Sequence, residues 1–398
     1  MHGRSAPPLV PLTLAAVVLA LGTARADESE DAERTNERWS LRAELGPEID
    51  TNAHRTEVIH VPGAINPPLV SSPLARGVLA GSLSDVVGNG HQVSMSATLA
   101  AKVFERAAAR DEDVAIAEST LAWRAPLGPR LGLGLAAAYY EAFQRNAPPP
   151  IYADDRRDFR SFTPTARLME PVSEHSDLGL GVGYRVFVFK PDQTYDFQSP
   201  TASLDFRWSR ETEDGAAEWE AAVRAAYERR AFGSAPFVEP PGCAAAPCPP
   251  VPGAGTRLDN FATAALDVSR TGDRVLLGVG YALHLNLSNS FGETVTRHFI
   301  GAHFAASLPL EIYFALRAEV VFAYYRDQVP VALNMAGSTF SSIEDENRNS
   351  LRADLSRNLT DRLQLIARYS VYANSATAGN VTYRRQTALL TLVFTLEK

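Results

Sequence analysis

Past its first two dozen residues the chain of 398 residues has no long uninterrupted apolar run, so the rest of it holds no helix able to span a bilayer, which takes about 18 to 20 apolar residues. Cysteine is scarce, with Cys243 and Cys248 alone, both in "PPGCAAAPCPPVPG". Neither a His nor a further Cys flanks the pair, which argues against a metal site, and in an exported chain the expectation is a disulfide closing a small Pro-rich loop. Positive charge is not in excess: the net charge of −8 argues against nucleic acid as a partner. Linker-like shifts of composition are missing too, so a length that allows two or three domains is read as one.

What is there begins with "MHGRSAPPLVPLTLAAVVLALGTARA", an Arg4-bearing start, an apolar run near Leu9–Leu21 and a small-x-small end at Ala24-Arg25-Ala26. This predicts a Sec signal peptide over residues 1–26. The acidic, polar "DESEDAERTNE" that follows, residues 27–37, is expected to be a disordered periplasmic lead-in before a barrel over 38–398.

That barrel is read from period two. In "SLRADLSRNLTDRLQLIARYSVYANS" Leu351, Ala353 and Leu355 alternate with Arg352, Asp354 and Ser356. After a turn expected at "NLTD", Leu363, Leu365, Ala367, Tyr369 and Val371 alternate with polar residues. Successive side chains point to opposite faces on a strand, whereas a helix repeats near 3.6. One such hairpin suits a half-buried soluble sheet equally well. The pattern recurs, however, in six further hairpins, among them "ESTLAWRAPLGPRLGLGLAAAYYEAF", "ATAALDVSRTGDRVLLGVGYALHLNLS" and one turning at the Asn-Gly of "GNGH". With "WSLRAELGPEID" in front and "YRRQTALLTLVFTLE" behind, the pattern predicts an all-β protein, a closed antiparallel transmembrane β-barrel of about 16 strands. Long connections are expected at 51–72, 145–157, 233–256 and 327–347, on the side opposite the tight turns.

The apolar face carries Trp39, Leu41 and Leu45; Leu131, Leu133 and Leu135; Leu178, Leu180, Val182 and Tyr184; Trp219, Val223 and Tyr227; Val275, Leu277, Val279 and Tyr281; and Ile312, Phe314 and Leu316. Trp123, Trp208, Tyr139, Tyr324 and Phe394 join Trp39 and Trp219 as candidate interface girdles. The opposite face carries Arg42, Glu44, Lys102, Glu118, Arg124, Arg167, Arg185, Asp205, Arg207, Glu220, Arg224, Glu228, Asp259, His284, Arg297, Arg317, Glu319, Arg352, Asp354, Arg362 and Arg368. A charge facing lipid at mid-bilayer costs roughly 2–4 kcal/mol, so so many charges on one face mean that face is wet. Basic residues outnumber acidic ones among them, which predicts a mild preference for anions or acidic chains; the alternative is that neighbouring opposite charges pair and only stiffen the wall.

These features resemble the Gram-negative outer-membrane β-barrels, porin-like in size. "ALLTLVFTLEK" is similar to the assembly signal that usually ends on an aromatic residue, although Phe394 is followed here by Thr395, Leu396, Glu397 and Lys398. "LRAELGPEIDTNAHR" and "AYYEAFQR" resemble barrels that accompany exopolysaccharide export. The resemblance implies the cell outer membrane, with its lipid and lipopolysaccharide, as surroundings, the barrel assembly machinery as a partner, and for an export role a periplasmic polysaccharide-export protein.

Three functions remain: a channel for hydrophilic solutes, an export pore for a secreted polysaccharide, and a structural barrel with a blocked lumen. Enzyme chemistry is not expected. In "GLGVGYR" the glycines fall at period two with no helix after them, which is not a phosphate loop. Asp259, His284 and Arg297 are placed in a row on the inner wall, but no activated serine accompanies the histidine. The acidic runs "RDED", "YADDRRD" and "SIEDENR" match no calcium loop and read as solvated tips; no metal and no cofactor is expected.

Overall fold

The structure, a computed structural model, describes residues 38–398 except 57, 61, 64–65, 67, 129, 145–157, 191–192, 213–214, 240–250, 327–348 and 377–380. The signal peptide, the acidic lead-in and the Cys243–Cys248 disulfide expected from the sequence lie outside the described residues.

A closed, antiparallel, 16-stranded barrel accounts for most of the chain. Its strands are β1 (Arg38–Asp50), β2 (Ser72–Val87), β3 (His91–Phe104), β4 (Val114–Pro126), β5 (Gly132–Gln144), β6 (Phe159–Ser173), β7 (Ser176–Phe189) and β8 (Phe197–Glu211). The second half comprises β9 (Ala217–Phe232), β10 (Leu258–Gly272), β11 (Val275–Ser288), β12 (Val295–Leu308), β13 (Ile312–Tyr325), β14 (Asn349–Thr360), β15 (Leu363–Ala376) and β16 (Val381–Glu397). Each strand pairs with its neighbours in sequence, and β1 also pairs with β16, from Ser40 opposite Glu397 to Asp50 opposite Thr387. No edge is left open, which is the condition for a sheet in hydrocarbon, where unpaired backbone groups find no water.

Both ends of the barrel segment, Arg38 and Glu397, lie with the tight turns at 88–90, 127–131, 174–175, 212–216, 273–274, 309–311 and 361–362. In the first of these Asn89 and Gly90 both have positive φ, 57° and 78°, which Asn-Gly adopts at little cost. The "NLTD" turn falls later than the sequence suggests: β14 runs through Thr360 with an irregularity between Asn358 and Thr360, and Asp361 and Arg362 make the turn.

Directly opposed residues share a face, so the continuous register fixes both faces all round. Leu45, Val182, Leu180, Val279 and Leu392 stand exposed on the outside, with Leu45 70% exposed. Inside, at the long-connection end, the wall turns apolar: Phe159, Phe187, Phe189, Phe197 and Phe232 pack with Val114, Ile116 and Ala142. A second buried cluster, Ala53, Leu74, Phe104 and Ala109, seats the connections after β1 and β3 against the inner wall.

Candidate functional site

The inner wall is the candidate site. Register brings the sequence-selected residues together in rows: Arg167 opposite Gly181 and Gly134, Asp205 opposite Arg224, Arg297 opposite His284, Arg317 opposite Arg352, Asp354 opposite Arg368. Arg42, Glu44, Lys102, Glu118, Arg124, Arg185, Arg207, Glu220, Glu228, Asp259 and Glu319 share that face. Arg362 does not, because it forms the tight turn itself: the turn falls at 361–362, whereas a turn at 358–361 puts Arg362 on the strand. Asp259 is not in line with His284 either. It lies opposite Ser288, one turn of the pleat beyond Asn286, and its carboxylate is taken up by Arg257 and by the Ser288 hydroxyl.

Many of these charges pair across the wall. Arg167 meets Asp205 at 3.1 Å, Arg224 meets Asp267 at 3.5 Å, Arg185 meets Glu228 at 3.4 Å, and Asp354 holds both Arg352 (2.9 Å) and Arg368 (2.8 Å). The glycines of "GLGVGYR" serve this packing: a Cβ on Gly179 would overlap the Arg167 guanidinium lying across it, so the space these glycines leave is filled by neighbouring side chains. Arg124, Arg207 and Arg317 differ. They are exposed, lie in the half of the wall nearer the tight turns, and have no carboxylate within ion-pair distance among the described residues.

Several inner groups escaped the sequence reading. Glu48 accepts from the sequence-selected Lys102 at 2.9 Å with Arg76 beside it, and Arg385 of β16 grips Asp50 of β1 through Nε and Nη2 at 2.6–3.0 Å. Asp177 and Asp267 also face inward, and these acids reduce the basic excess of the sequence list. Period-two counting offered a signal for Glu48 and Asp50, which continue the Arg42, Glu44 series of β1.

"RDED" is not a solvated tip. Glu112 accepts from Arg55 at 3.2 Å and from Gln144 at 3.1 Å and meets His54 Nδ1 at 3.1 Å, and Asp113 accepts the Phe104 N–H at 2.7 Å. The hydrogen bond to Glu112 raises the His54 pKa above 6.5 against the lowering pull of burial. A raised histidine pKa gives stability that is complete below the ordinary value and lost as pH climbs through the raised one. Amides 52–56 are therefore expected to exchange more slowly at pH 6 than at pH 8 after correction for chemical rate, and His54→Asn to erase the difference. Equal protection at both pH values in the wild-type chain refutes the link.

Outside, two aromatic belts frame an apolar band. Trp39, Trp123, Trp208, Trp219 and Phe394 lie toward the tight turns. Toward the other end a tyrosine line appears, each hydroxyl bonded to a polar outward side chain: Tyr184 to Gln198 (2.7 Å), Tyr227 to Asn260 (2.7 Å), Tyr281 to His298 (2.8 Å) and Tyr139 to Glu141 (2.5 Å). Along β8, Trp208 and Gln198 are ten residues apart, which at about 3.3 Å per residue and a tilt of about 40° is roughly 25 Å of height, the apolar band of a membrane barrel. The tyrosine partners are not legible from alternation, since a lone outward Gln or His is indistinguishable from a pattern error until its neighbour strand is known.

No family model and no curated protein matches the chain. Solved structures similar to it include OccAB3 of Acinetobacter baumannii (9% identity, TM-score 0.46, covering 91% of this chain and 100% of that one). OprB of Pseudomonas putida is similar at 9% identity and TM-score 0.46 (90% and 94% covered), and OpdK of Pseudomonas aeruginosa, solved with vanillate, at 9% and 0.45 (91% and 99%). At this level they decide nothing about the chain, and closure of the barrel rests on its own strand pairing. None of the three supports the likeness to polysaccharide-export barrels.

Proposed function

We propose that the chain is an outer-membrane channel for hydrophilic solutes with a mild preference for anions. The observation that carries this reading is the division of the wall into an apolar outer band between two aromatic belts and a charged inner face. Preference for anions rests on Arg124, Arg207 and Arg317, whose guanidiniums remain uncommitted in the half nearer the tight turns. Glu118 and Glu220, also without ion pairs among the described residues, and Asp177 opposite Arg207 offset part of that charge, which is why the preference is mild.

In a planar bilayer with a KCl gradient, the refolded chain is expected to give a reversal potential on the chloride side, shifted toward zero by Arg124→Ser with Arg207→Ser and Arg317→Ser. A cation-selective wild type sinks the anion claim. A second reading has its own support: the buried phenylalanines inside the long-connection end are what a barrel closed at that end contains. Absence of conductance in a correctly folded barrel selects that reading.

A further inference from the structure

Four guanidiniums gather on the inner wall where β7 and β9–β12 approach the long connections: Arg185, Arg230, Arg257 and Arg297. Glu228 takes Arg230 at 2.9 Å and Arg185 at 3.4 Å, while Arg257 takes Asp259 at 2.9 Å and Glu293 at 3.1 Å. Three carboxylates are thus committed and Arg297 is the cation left over. It is 4% exposed, yet its Nη1 has no hydrogen-bond partner, and no carboxylate lies within ion-pair distance of it among the described residues. Directly across the strand pair His284 is in the same condition, its Nδ1 enclosed and unpartnered. The His284 ring leans on Phe299 at 4.5 Å and meets Phe261 at 5.6 Å, and the Arg230 guanidinium lies over the Phe261 ring at 4.4 Å.

A buried charge without a counter-charge is unstable enough that proteins pair it or shift it, and guanidinium cannot lose its proton. Two enclosed nitrogens on directly opposed residues, both able to donate, with one unit of positive charge to spare, describe the partner they lack. We infer that Arg297 and His284 hold a monovalent anion, a chloride ion or the carboxylate group of a small solute. A dianion does not suit the place, since Glu228, Asp259 and Glu293 surround it and only one positive charge is surplus. The count of one surplus charge holds with Glu293, on the connection between β11 and β12, ionised; burial pushes its carboxyl up to about 7, so the positive surplus grows as pH falls through that value.

The inference does not depend on conduction, so it is tested on the full chain refolded in detergent. Line broadening of the ³⁵Cl resonance is measured with sodium acetate, sodium benzoate or sodium phosphate as competitor. Excess broadening that saturates in the wild type and is lost in Arg297→Gln supports the site. Displacement of chloride by acetate or benzoate identifies a carboxylate guest, and no displacement identifies a halide site. Phosphate displacing as well as acetate overturns the restriction to a single charge. Equal broadening in wild type and Arg297→Gln overturns the site and leaves a bridging water at these nitrogens. Should Arg297→Gln fail to fold, Arg297→Lys, which keeps the charge but not the fork, is expected to retain at most a tenth of the affinity, and undiminished binding there overturns the role of the guanidinium.

Discussion

Asp50→Ala is expected to lower the free energy of unfolding by roughly 3–5 kcal/mol, the cost of stranding one member of a buried ion pair. Asp50 is wholly enclosed and Arg385 is 3% exposed. The aspartate accepts three contacts from the guanidinium and a fourth from the Asn52 N–H at 2.9 Å, so its removal strands both a cation and a backbone donor. Arg385 also lies over the Tyr372 ring at 5.4 Å and cannot swing to water without abandoning that packing. The pair bridges the two strands that close the barrel, so the loss should show in urea unfolding followed by the heat-modified gel shift of the barrel. Asp50→Ala combined with Arg385→Met is expected to be less damaging than Asp50→Ala alone, because no unpaired charge remains. A double variant as unstable as the sum of the two singles refutes the assignment of the cost to a stranded charge.

Val182→Arg is expected to destabilise by roughly 2–4 kcal/mol when the barrel is unfolded from a bilayer, because Val182 faces outward between the two aromatic belts. The control is Ala226→Arg, at nearly the same height but on the inner face, opposite Ser203. It should cost less than about 1 kcal/mol, an exposed substitution in a wet interior. The comparison is sensitive to the assignment of faces and to nothing else of the same size. If the two variants lose equal stability, or Ala226→Arg loses more, the inner and outer faces have been exchanged and the membrane reading falls with them.

Most of the barrel was legible because two solvents, one on each side of a single sheet, write an alternation that no helix imitates. Arg352, Asp354 and Arg368 announced their face from sequence alone, and the structure brings those three to one ion-pair group. What was illegible depends on three dimensions. That Arg385 meets Asp50 requires the barrel to close, and alternation contains no information about which strand ends up beside β1. Glu112 looked like part of an acidic tip because its partners come from elsewhere in the chain, His54 and Arg55 from the connection after β1 and Gln144 from the end of β5. The inner phenylalanines violate the polar-inside rule at one end. "RVFVFK" carried a warning, since apolar residues there occupy both parities, and a strand apolar on both faces is one with no water on either. Arg362 shows the opposite failure: counting by twos runs straight through a turn when the turn is short.

The seam between β1 and β16 also sets a clock. Asp50 and Arg385 are 335 positions apart, so the contact that closes the ring is among the last the chain can make, and none of it exists while the carboxyl-terminal strand is still being synthesised. Until that strand arrives the sheet has two raw edges, each a template for another chain. Contacts this remote in sequence form slowly. The chain therefore has to complete its length, and be kept from its own kind, before any part of the wall is finished.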